Sequence, residues 1–315
     1  MDILQDENNN IHIYGPVPSR RLGFSLGIDI IPFKTCSLDC IYCQLGRTSK
    51  KKIRRKEYFS QEKILSQIKK VLASGKQIDY VTFSGSGEPT LNKSIGKLIR
   101  EIKNLTPIPV AVLTNSTLLC RKSVIEALKA ADLIVPSLDA VSQDIFVKVN
   151  RPHPSLKIDT IIEGLKKFRQ KFNGQIWLEV MLVKGINDSP SHINKLREVI
   201  AEINPGRIQL NTVVRPPAEN FAQPLNQEKL EEIKKSMGEK CEIIVEFSRK
   251  GQISSSENLE QAILSLLRRR PATLKDISSS LGKHRNEIIK YINFLLEDRK
   301  IKVVTHKGMK YYEPK

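Results

Sequence analysis

Short apolar segments alternate with amphipathic helical segments along most of this chain, and this alternation restricts the fold more than any other feature. The segments predicted to be strands are 25–31, 79–83, 110–113, 133–135, 176–183 and 208–214, with one more at 242–247. Helical periodicity fills the intervals, starting with a helix that Ser60 is placed to cap. Uninterrupted apolar strands joined by helices are typical of a parallel sheet that is covered on both faces. The sequence therefore predicts an α/β fold.

Polar and glycine-containing turns directly follow the predicted strands. In a (β/α) barrel, the residues just past the strands form the rim on which the active site lies. We therefore expect a partial (β/α)6 TIM-like barrel over residues 25–250. Residues 1–24 are expected to be an N-terminal extension, and residues 11–24 to be turn-rich, because glycines and prolines interrupt any regular element there. A doubly wound open sheet has the same periodicity and is the alternative fold.

A different pattern follows a Gly/Ser-rich linker at 249–256. Residues 257–315 predict three helices, the second ending at Gly282, and then two short strands turned at Lys307-Gly308. Three helices followed by a β-hairpin are the arrangement of a winged helix-turn-helix domain. We therefore expect a C-terminal winged-helix domain over this range.

The third helix of that domain, residues 286–297, has the pattern of a recognition helix. Its periodicity turns Arg285, Lys290 and Asn293 outward, and the segment from Glu257 onward has 13 basic and 7 acidic residues. A basic outer face of this kind favours contact with nucleic acid.

Three of the five cysteines lie close together in a C-x3-C-x2-C motif, at Cys36, Cys40 and Cys43. Three thiolates can hold three corners of a [4Fe–4S] cluster, which leaves the fourth iron without a protein ligand. A zinc site needs a fourth ligand, and no second C-x-x-C or H-x3-H pair is present. The odd cysteine count does not predict a disulfide framework, and Cys120 and Cys241 are expected to be structural or incidental thiols. The motif predicts an iron–sulfur site in a reducing, cytoplasmic compartment.

The formal net charge of +18 favours polyanionic partners. A general lysine bias explains this overall charge equally well. The run 47–56 has seven basic residues and no acidic one, and a solvated loop is the commoner explanation for such a run. No apolar run approaches the roughly 20 residues that span a bilayer, and the acidic, amide-rich start does not resemble a secretory signal. We expect no membrane partner.

The cysteine motif, with the aromatic Tyr42 before its third cysteine, resembles that of the radical S-adenosylmethionine (SAM) superfamily. The resemblance continues at the ends of the predicted strands. There the chain has a turn similar to the Gly-Gly-Glu motif, two turns similar to those that hold the ribose and the methionine carboxylate, and a turn similar to that of molybdopterin-forming relatives: Ser86-Gly87-Glu88-Pro89, Thr114-Asn115, Ser137-Leu138-Asp139 and Lys184-Gly185-Ile186-Asn187-Asp188. The segment YGPVPSRRLGFSLGIDIIP is similar to a group of iron–sulfur oxidoreductases related to the enzymes that form the wyosine base of tRNA.

This resemblance implies two cofactors, one [4Fe–4S] cluster on the three cysteines and SAM at its open iron. It implies that SAM is cleaved to methionine and a 5′-deoxyadenosyl radical, which takes a hydrogen atom from a substrate. The residues implied to contact SAM are Tyr42, Ser86, Gly87, Glu88, Thr114, Asn115, Ser137 and Asp139. A one-electron reductant similar to flavodoxin or ferredoxin is the implied partner. Arg20, Arg21 and Arg215 are expected to face anionic groups, with ordinary ion pairs as the alternative.

Two function classes remain open at this point. The chain is an enzyme whose substrate, RNA or a peptide, docks on the winged helix, or it is an iron–sulfur transcriptional regulator with a winged-helix domain. A regulator needs no ribose- and glutamate-type turns behind six strands, which favours the enzyme. The wyosine-forming enzymes carry further upstream cysteines for a second cluster, and none precedes Cys36 in this chain.

Overall fold

The structure is a computed structural model that describes residues 12–19, 21–213, 217–244, 256–269, 271–306 and 309–315. The strands of the main sheet are β1 (Ile13–Ser19), β2 (Gly23–Ile28), β3 (Tyr80–Phe83), β4 (Val110–Thr114), β5 (Leu133–Pro136), β6 (Gln175–Leu182), β7 (Arg207–Thr212) and β8 (Cys241–Ile243). The helices around it are α1 (Gln61–Leu72), α2 (Ile95–Leu105), α3 (Lys122–Leu128), α4 (Gln143–Asn150), α5 (Ile158–Lys171), α6 (Pro190–Ile203) and α7 (Gln227–Met237).

The sheet has eight strands in the sequential order β1 to β8, and β2 to β8 are all parallel. A doubly wound sheet reverses its strand order at a switch point, and this sheet does not, so the described strands exclude that alternative. The predicted α/β fold is confirmed, with the strand order of a partial TIM-like barrel. The carboxyl ends of β2 to β7 therefore share one edge, where the predicted turns meet.

The prediction that residues 11–24 contain no regular element is wrong for β1. This strand pairs antiparallel with β2, and its register shifts between Tyr14 and Val17. Proline cannot donate a ladder hydrogen bond, but an edge strand has one unpaired side and tolerates it. Because β1 lies at the edge of the sheet, the prolines that argued against a strand are compatible with one.

The helix signals in the sequence were good guides to the helix starts. Ser60 caps α1 by accepting a hydrogen bond from the Lys63 amide, as predicted. The sequence prediction missed α4, a short helix of eight residues that ends at Arg151 in a left-handed conformation. A helix of about two turns has too few positions to show a clear period.

The main core lies between the sheet and its helices. Large side chains such as Phe83, Leu98, Ile99 and Phe168 are fully buried in it. A second, smaller core lies in the C-terminal segment, where Ile263, Ile277 and other aliphatic residues pack together. The domain boundaries given above stay predictions. None of the described helices has the length and hydropathy to cross a membrane.

The C-terminal segment consists of α8 (Ser256–Arg269), α9 (Leu274–Leu281), α10 (Arg285–Glu297) and the antiparallel pair β9 (Ile301–His306) and β10 (Met309–Pro314). Gly282 ends α9 in the left-handed conformation, as predicted. The turn Lys307-Gly308 lies outside the described residues, as does the predicted linker apart from Ser256.

The predicted outward face of α10 is wrong in part. Asn293 is buried, with 8% of its surface exposed, and Arg285 and Lys290 are half-buried. The cause is that α10 packs against α8, α9 and β9 and also contacts β1 of the main sheet. The position of α10 therefore differs from that of a recognition helix that faces solvent.

The packing of Phe168 gives a stability prediction. Its ring is fully buried and stacks on Phe172 with ring centres 5.0 Å apart. Phe168→Ala should lower the free energy of unfolding by about 3–5 kcal/mol, because it leaves a cavity in the core. Phe221→Ala is the control, since Phe221 is 57% exposed, and it should change the free energy by less than about 0.5 kcal/mol. Urea denaturation measures both, and equal effects would contradict this assignment of the core.

Candidate cluster and cofactor site

The cysteine loop follows β2 at the carboxyl edge of the sheet. Its apolar residues Leu38 and Ile41 are buried and anchor it. The amides of Asp39 and Ile41 donate to the carbonyls of Asn150 and Val149, each at 3.0 Å. The end of α4, the helix that the sequence prediction missed, therefore holds the loop in place.

Each sulfur of the triad accepts a hydrogen bond from a nitrogen donor. Asn115 Nδ2 donates to Cys36 Sγ at 3.4 Å, and Asn150 Nδ2 donates to Cys40 Sγ at 3.4 Å. Lys34 Nζ donates to Cys43 Sγ at 3.2 Å. Donors of this kind stabilise negative charge on sulfur and are the usual surroundings of cluster ligands.

Burial has the opposite effect on these thiols. It raises the pKa of Cys36 to about 12 and the pKa of Cys40 well above its ordinary value. A cluster bound to these residues would supply the positive charge that keeps them as thiolates. Among the described residues, no group of three or more His, Cys, Asp or Glu side chains is arranged around a single metal ion. The half-buried triad and its three donors fit a cluster with three protein ligands.

A cavity of about 410 Å³ adjoins the triad. It is lined by nine of the eleven site residues predicted from the sequence: Cys36, Tyr42, Cys43, Ser86, Gly87, Glu88, Thr114, Asn115 and Ser137. Cys40 and Asp139 lie beside it without lining it. The strand-end turns and the cysteine loop thus line one cavity, because the parallel strands end at the same edge of the sheet.

The turn Ser86-Gly87 packs directly against the cysteine loop. The Lys34 amide donates to the Ser86 carbonyl at 2.7 Å, and the Glu88 amide donates to the Thr35 carbonyl at 3.0 Å. A Cβ atom on Gly87 would lie 1.9 Å from the Thr35 oxygen. Glycine is required at position 87 because the two loops approach too closely for any side chain.

The Glu88 carboxylate is fixed by four donors. Oε1 accepts from the Thr90 amide at 3.0 Å, the Thr90 hydroxyl at 2.6 Å and the Thr114 hydroxyl at 2.7 Å. Oε2 accepts from the Asn115 amide at 2.7 Å. Burial raises the pKa of Glu88, whereas these donors lower it. Glu88 therefore joins the turns after β3 and β4 and presents a buried acidic group to the cavity.

Asp139 lies behind Tyr42. Its Oδ2 accepts from the Tyr42 hydroxyl at 2.5 Å and from Asn150 Nδ2 at 2.7 Å, and its Oδ1 accepts from the Met181 amide at 2.9 Å. Burial raises the pKa of Asp139 to about 6. In this position Asp139 orients Tyr42 and Asn150, and Asn150 in turn donates to Cys40.

Two further sequence features take structural positions near the cavity. Arg21, which lines it, forms a 2.8 Å ion pair with Glu179, and both side chains are at most 14% exposed. Asn187 in the turn after β6 is fully buried and donates to the carbonyls of Asp139 and Met181. Arg20 and Arg215 lie outside the described residues.

Sequence reasoning missed three residues that shape the site. Asp29 accepts hydrogen bonds from the amide and hydroxyl of Ser86, while Lys34 and Asn150 donate to cluster-side sulfurs. The position of Asp29 just after β2 was a usable signal, since polar residues at strand ends form the rim. Lys34 stands two residues before Cys36. No local pattern marks Asn150.

Comparison with known proteins agrees with this geometry. The family model described as the radical SAM superfamily matches residues 30–196. The chain belongs to the radical SAM superfamily. As members of this superfamily do, it uses a [4Fe–4S] cluster and SAM as cofactors, and it is an enzyme.

Several relatives align along almost the whole chain. A UPF0026 protein of Methanocaldococcus jannaschii is 35% identical over 306 residues, which cover 95% of this chain and 94% of that protein. A protein named GTPase Obg in Brachyspira hyodysenteriae is 39% identical over 303 residues, but these cover only 45% of its length. A crystal structure of a radical SAM methyltransferase from Sphaerobacter thermophilus shares the fold, with a TM-score of 0.53, 16% identity and 73% and 68% of the two chains covered.

The close approach at Gly87 gives a prediction for cluster retention. Gly87→Ala should push the turn away from Thr35, so the reconstituted protein should bind much less iron and sulfide per chain. Gly206→Ala is the control, because a Cβ atom there would lie 3.4 Å from its nearest neighbour. Iron and acid-labile sulfide assays after anaerobic reconstitution measure both. Wild-type iron content in Gly87→Ala would contradict the packing argument.

Asp139 gives a prediction for the pH dependence of stability. Its pKa is about 6 in the folded chain against an ordinary 3.8, so the folded state binds this proton more tightly than the unfolded state. The free energy of unfolding of the apoprotein should therefore fall, by roughly 1–3 kcal/mol, as the pH rises from about 4 to about 6. Asp139→Asn should remove the contribution of Asp139 and make this fall smaller, whereas Asp144→Asn at an exposed position should keep it. Urea titrations across this range that show parallel curves for wild type and Asp139→Asn would contradict it.

Proposed function

We propose that the cofactors of this enzyme supply a 5′-deoxyadenosyl radical, with methionine as the other product, for hydrogen-atom abstraction from a substrate held in the 410 Å³ cavity. One observation carries the proposal. Three half-buried thiols, each with its own nitrogen donor, stand at the edge of a cavity that is lined by the polar strand-end turns.

The residues around the triad have the following proposed roles. Cys36, Cys40 and Cys43 would hold the cluster, and the three nitrogen donors stabilise the negative charge on their sulfurs. Of these three donors Lys34 is the cationic one, so its hydrogen bond to Cys43 is charge-assisted. Three cysteine ligands would leave one iron of such a cluster available for SAM, which would supply the radical chemistry when bound.

The SAM contacts follow from the cavity wall. Glu88 offers a buried carboxylate to the ammonium group of SAM, which is a charge-assisted pairing. The backbone edge at Ser86 and Gly87 lies beside it, and Thr114, Asn115 and Ser137 offer hydroxyl, amide and backbone groups to the ribose and the carboxylate. Tyr42 is held by Asp139 where its ring can cover the adenine. Apolar residues such as Leu113 and Val213 complete the wall and help to exclude water.

The C-terminal segment supports a second part of the proposal. Its three helices and antiparallel strand pair are the elements of a winged-helix domain, which we propose for residues 257–315. The transcription-regulator alternative is not supported, because the chain is a superfamily enzyme and α10 packs against the barrel. A flavodoxin- or ferredoxin-like reductant, an RNA or peptide substrate, and a grouping with the wyosine-related enzymes stay proposals. The five free thiols fit a cytoplasmic, reducing compartment.

The proposal is tested by the cleavage of SAM. Wild-type protein, reconstituted anaerobically and reduced with dithionite, should convert SAM to 5′-deoxyadenosine and methionine. Cys36→Ala, Cys40→Ala and Cys43→Ala should each reduce this to the level of a protein-free control, because the cluster loses a ligand. Cys120→Ala changes an exposed thiol outside the site and should keep the wild-type rate. Chromatographic quantification of both products decides the matter, and a wild type that forms no 5′-deoxyadenosine would exclude the proposed reaction.

A further inference from the structure

The start of α10 is fixed to the barrel by buried polar and aromatic contacts. His284 Nε2 lies 3.0 Å from Asp29 Oδ2, and their side chains are 8% and 5% exposed. His284 Nδ1 accepts a hydrogen bond from the Asn286 amide. In the neutral ring the proton is therefore on Nε2, and this N–H group donates a hydrogen bond to Asp29. His284 also stacks on Tyr14, with ring centres 4.8 Å apart. One residue further, Arg285 lies over the ring of Phe33 at 5.0 Å.

This attachment involves the cofactor side of the site. The Asp29 oxygen that faces His284 also accepts the amide and hydroxyl of Ser86. The same carboxylate thus holds both the turn Ser86-Gly87, proposed above to contact SAM, and the C-terminal segment. The start of α10 is therefore held at the cavity by a buried hydrogen bond as well as by its chain connection.

Two polar residues of α10 line the cavity as a result. Asn286 and Lys290 stand four residues apart, which places them on one face of the helix. They border the same space as Cys36, Cys43 and Glu88. The helix therefore forms a wall of the active-site cavity.

Asn286 has no hydrogen-bond partner for either polar atom of its side chain, although it is only 8% exposed. Burial raises the pKa of Tyr14 to about 12, and the nearby Asn286 side chain has a smaller, opposite effect on that pKa. The two groups do not reach hydrogen-bond geometry, and Tyr14 bonds Ser84 Oγ at 2.7 Å instead. A buried amide with an unpaired donor and an unpaired acceptor is costly, so a functional partner is the natural explanation at a cavity wall.

We propose that Asn286 and Lys290 form a nucleotide-binding subsite for the substrate of the reaction proposed above, on which this inference rests. A carboxamide has a donor and an acceptor side by side, and a turn of its side chain toward the cavity would pair them with the edge of a base, as with adenine N6 and N7. Lys290, on the same face, adds a positive charge for the phosphate. The net charge of +18 favours the approach of such a ligand. The nucleotide is either free or a residue of an RNA strand.

The test measures binding, with the full chain carrying its unreduced cluster and SAM so that no turnover occurs. The probes are a fluorescein-labelled single-stranded RNA of roughly 10 nucleotides, a mixture of the four ribonucleoside 5′-monophosphates, and a labelled peptide rich in Asn and Gln. Anisotropy reports the binding of the labelled probes, and isothermal titration calorimetry reports the binding of the monophosphates. Displacement by the monophosphates indicates a free nucleotide as substrate, and RNA binding without displacement indicates a residue within a strand.

Asn286→Ala should weaken binding of the RNA or the nucleotides by about 10-fold, the loss expected for one bidentate contact to a base. Asn293→Ala is a matched control on the same helix, because Asn293 is also 8% exposed with an unpaired amide nitrogen but does not line the cavity. It should bind as wild type does. Lys290→Gln should weaken binding and reduce the slope of log affinity against log salt by about 1. Thermal denaturation of each variant checks that it is folded.

Three results would overturn the inference. These are wild-type affinity in Asn286→Ala, no binding of RNA or nucleotides by the wild type, or binding of the peptide alone with dependence on Asn286. The release of 5′-deoxyadenosine by the same wild-type preparation is measured separately. If that reaction occurs while the nucleotide subsite fails, only the substrate class is wrong, and the proposed reaction stands.

Discussion

The buried carboxylate of Asp29 is the interaction on which the arrangement of the site depends. It is 4% exposed, and a buried charge is stable only when donors surround it. The donors come from separate parts of the chain: the amide of Ile31, the amide and hydroxyl of Ser86, and the imidazole of His284. Because one carboxylate satisfies all of them, the end of β2, the turn Ser86-Gly87 and the start of α10 have fixed relative positions.

The triad depends on a similar convergence. Its three nitrogen donors belong to the loop before Cys36, the turn after β4 and the end of α4. Asp139 connects the end of α4 with the cysteine loop, since it accepts from Asn150 and from Tyr42. A cluster held here has hydrogen bonds to its ligands from elements that the parallel sheet brings to one edge. Such bonds set the charge that the sulfurs can carry and hence the reduction potential.

The C-terminal segment has a different relation to the barrel from the one its sequence indicates. The sequence predicts a winged helix that is joined by a linker and whose third helix faces a partner. In the structure that helix packs against α8, α9, β9 and β1, and Asn286 and Lys290 line the cavity beside the triad. Residues of the C-terminal segment thus line the cavity beside the triad, although this segment lies outside the superfamily match at 30–196.

The sequence by itself determined the α/β fold, most strand and helix positions, caps such as Ser60 and Gly282, and nine residues of the cavity wall. The fold, the element positions and the caps follow from local periodicity and from the rule that parallel strands end at one edge, and the cysteines follow from their spacing. The other residues of the cavity wall were implied by the resemblance of the strand-end turns to radical SAM motifs. Only the tertiary structure decided that β1 pairs at the edge, that Lys34 and Asn150 donate to the sulfurs, and that His284 meets Asp29. Those contacts join residues far apart in the chain or depend on the direction of a side chain. No local pattern encodes them, because they arise from the packing of whole elements.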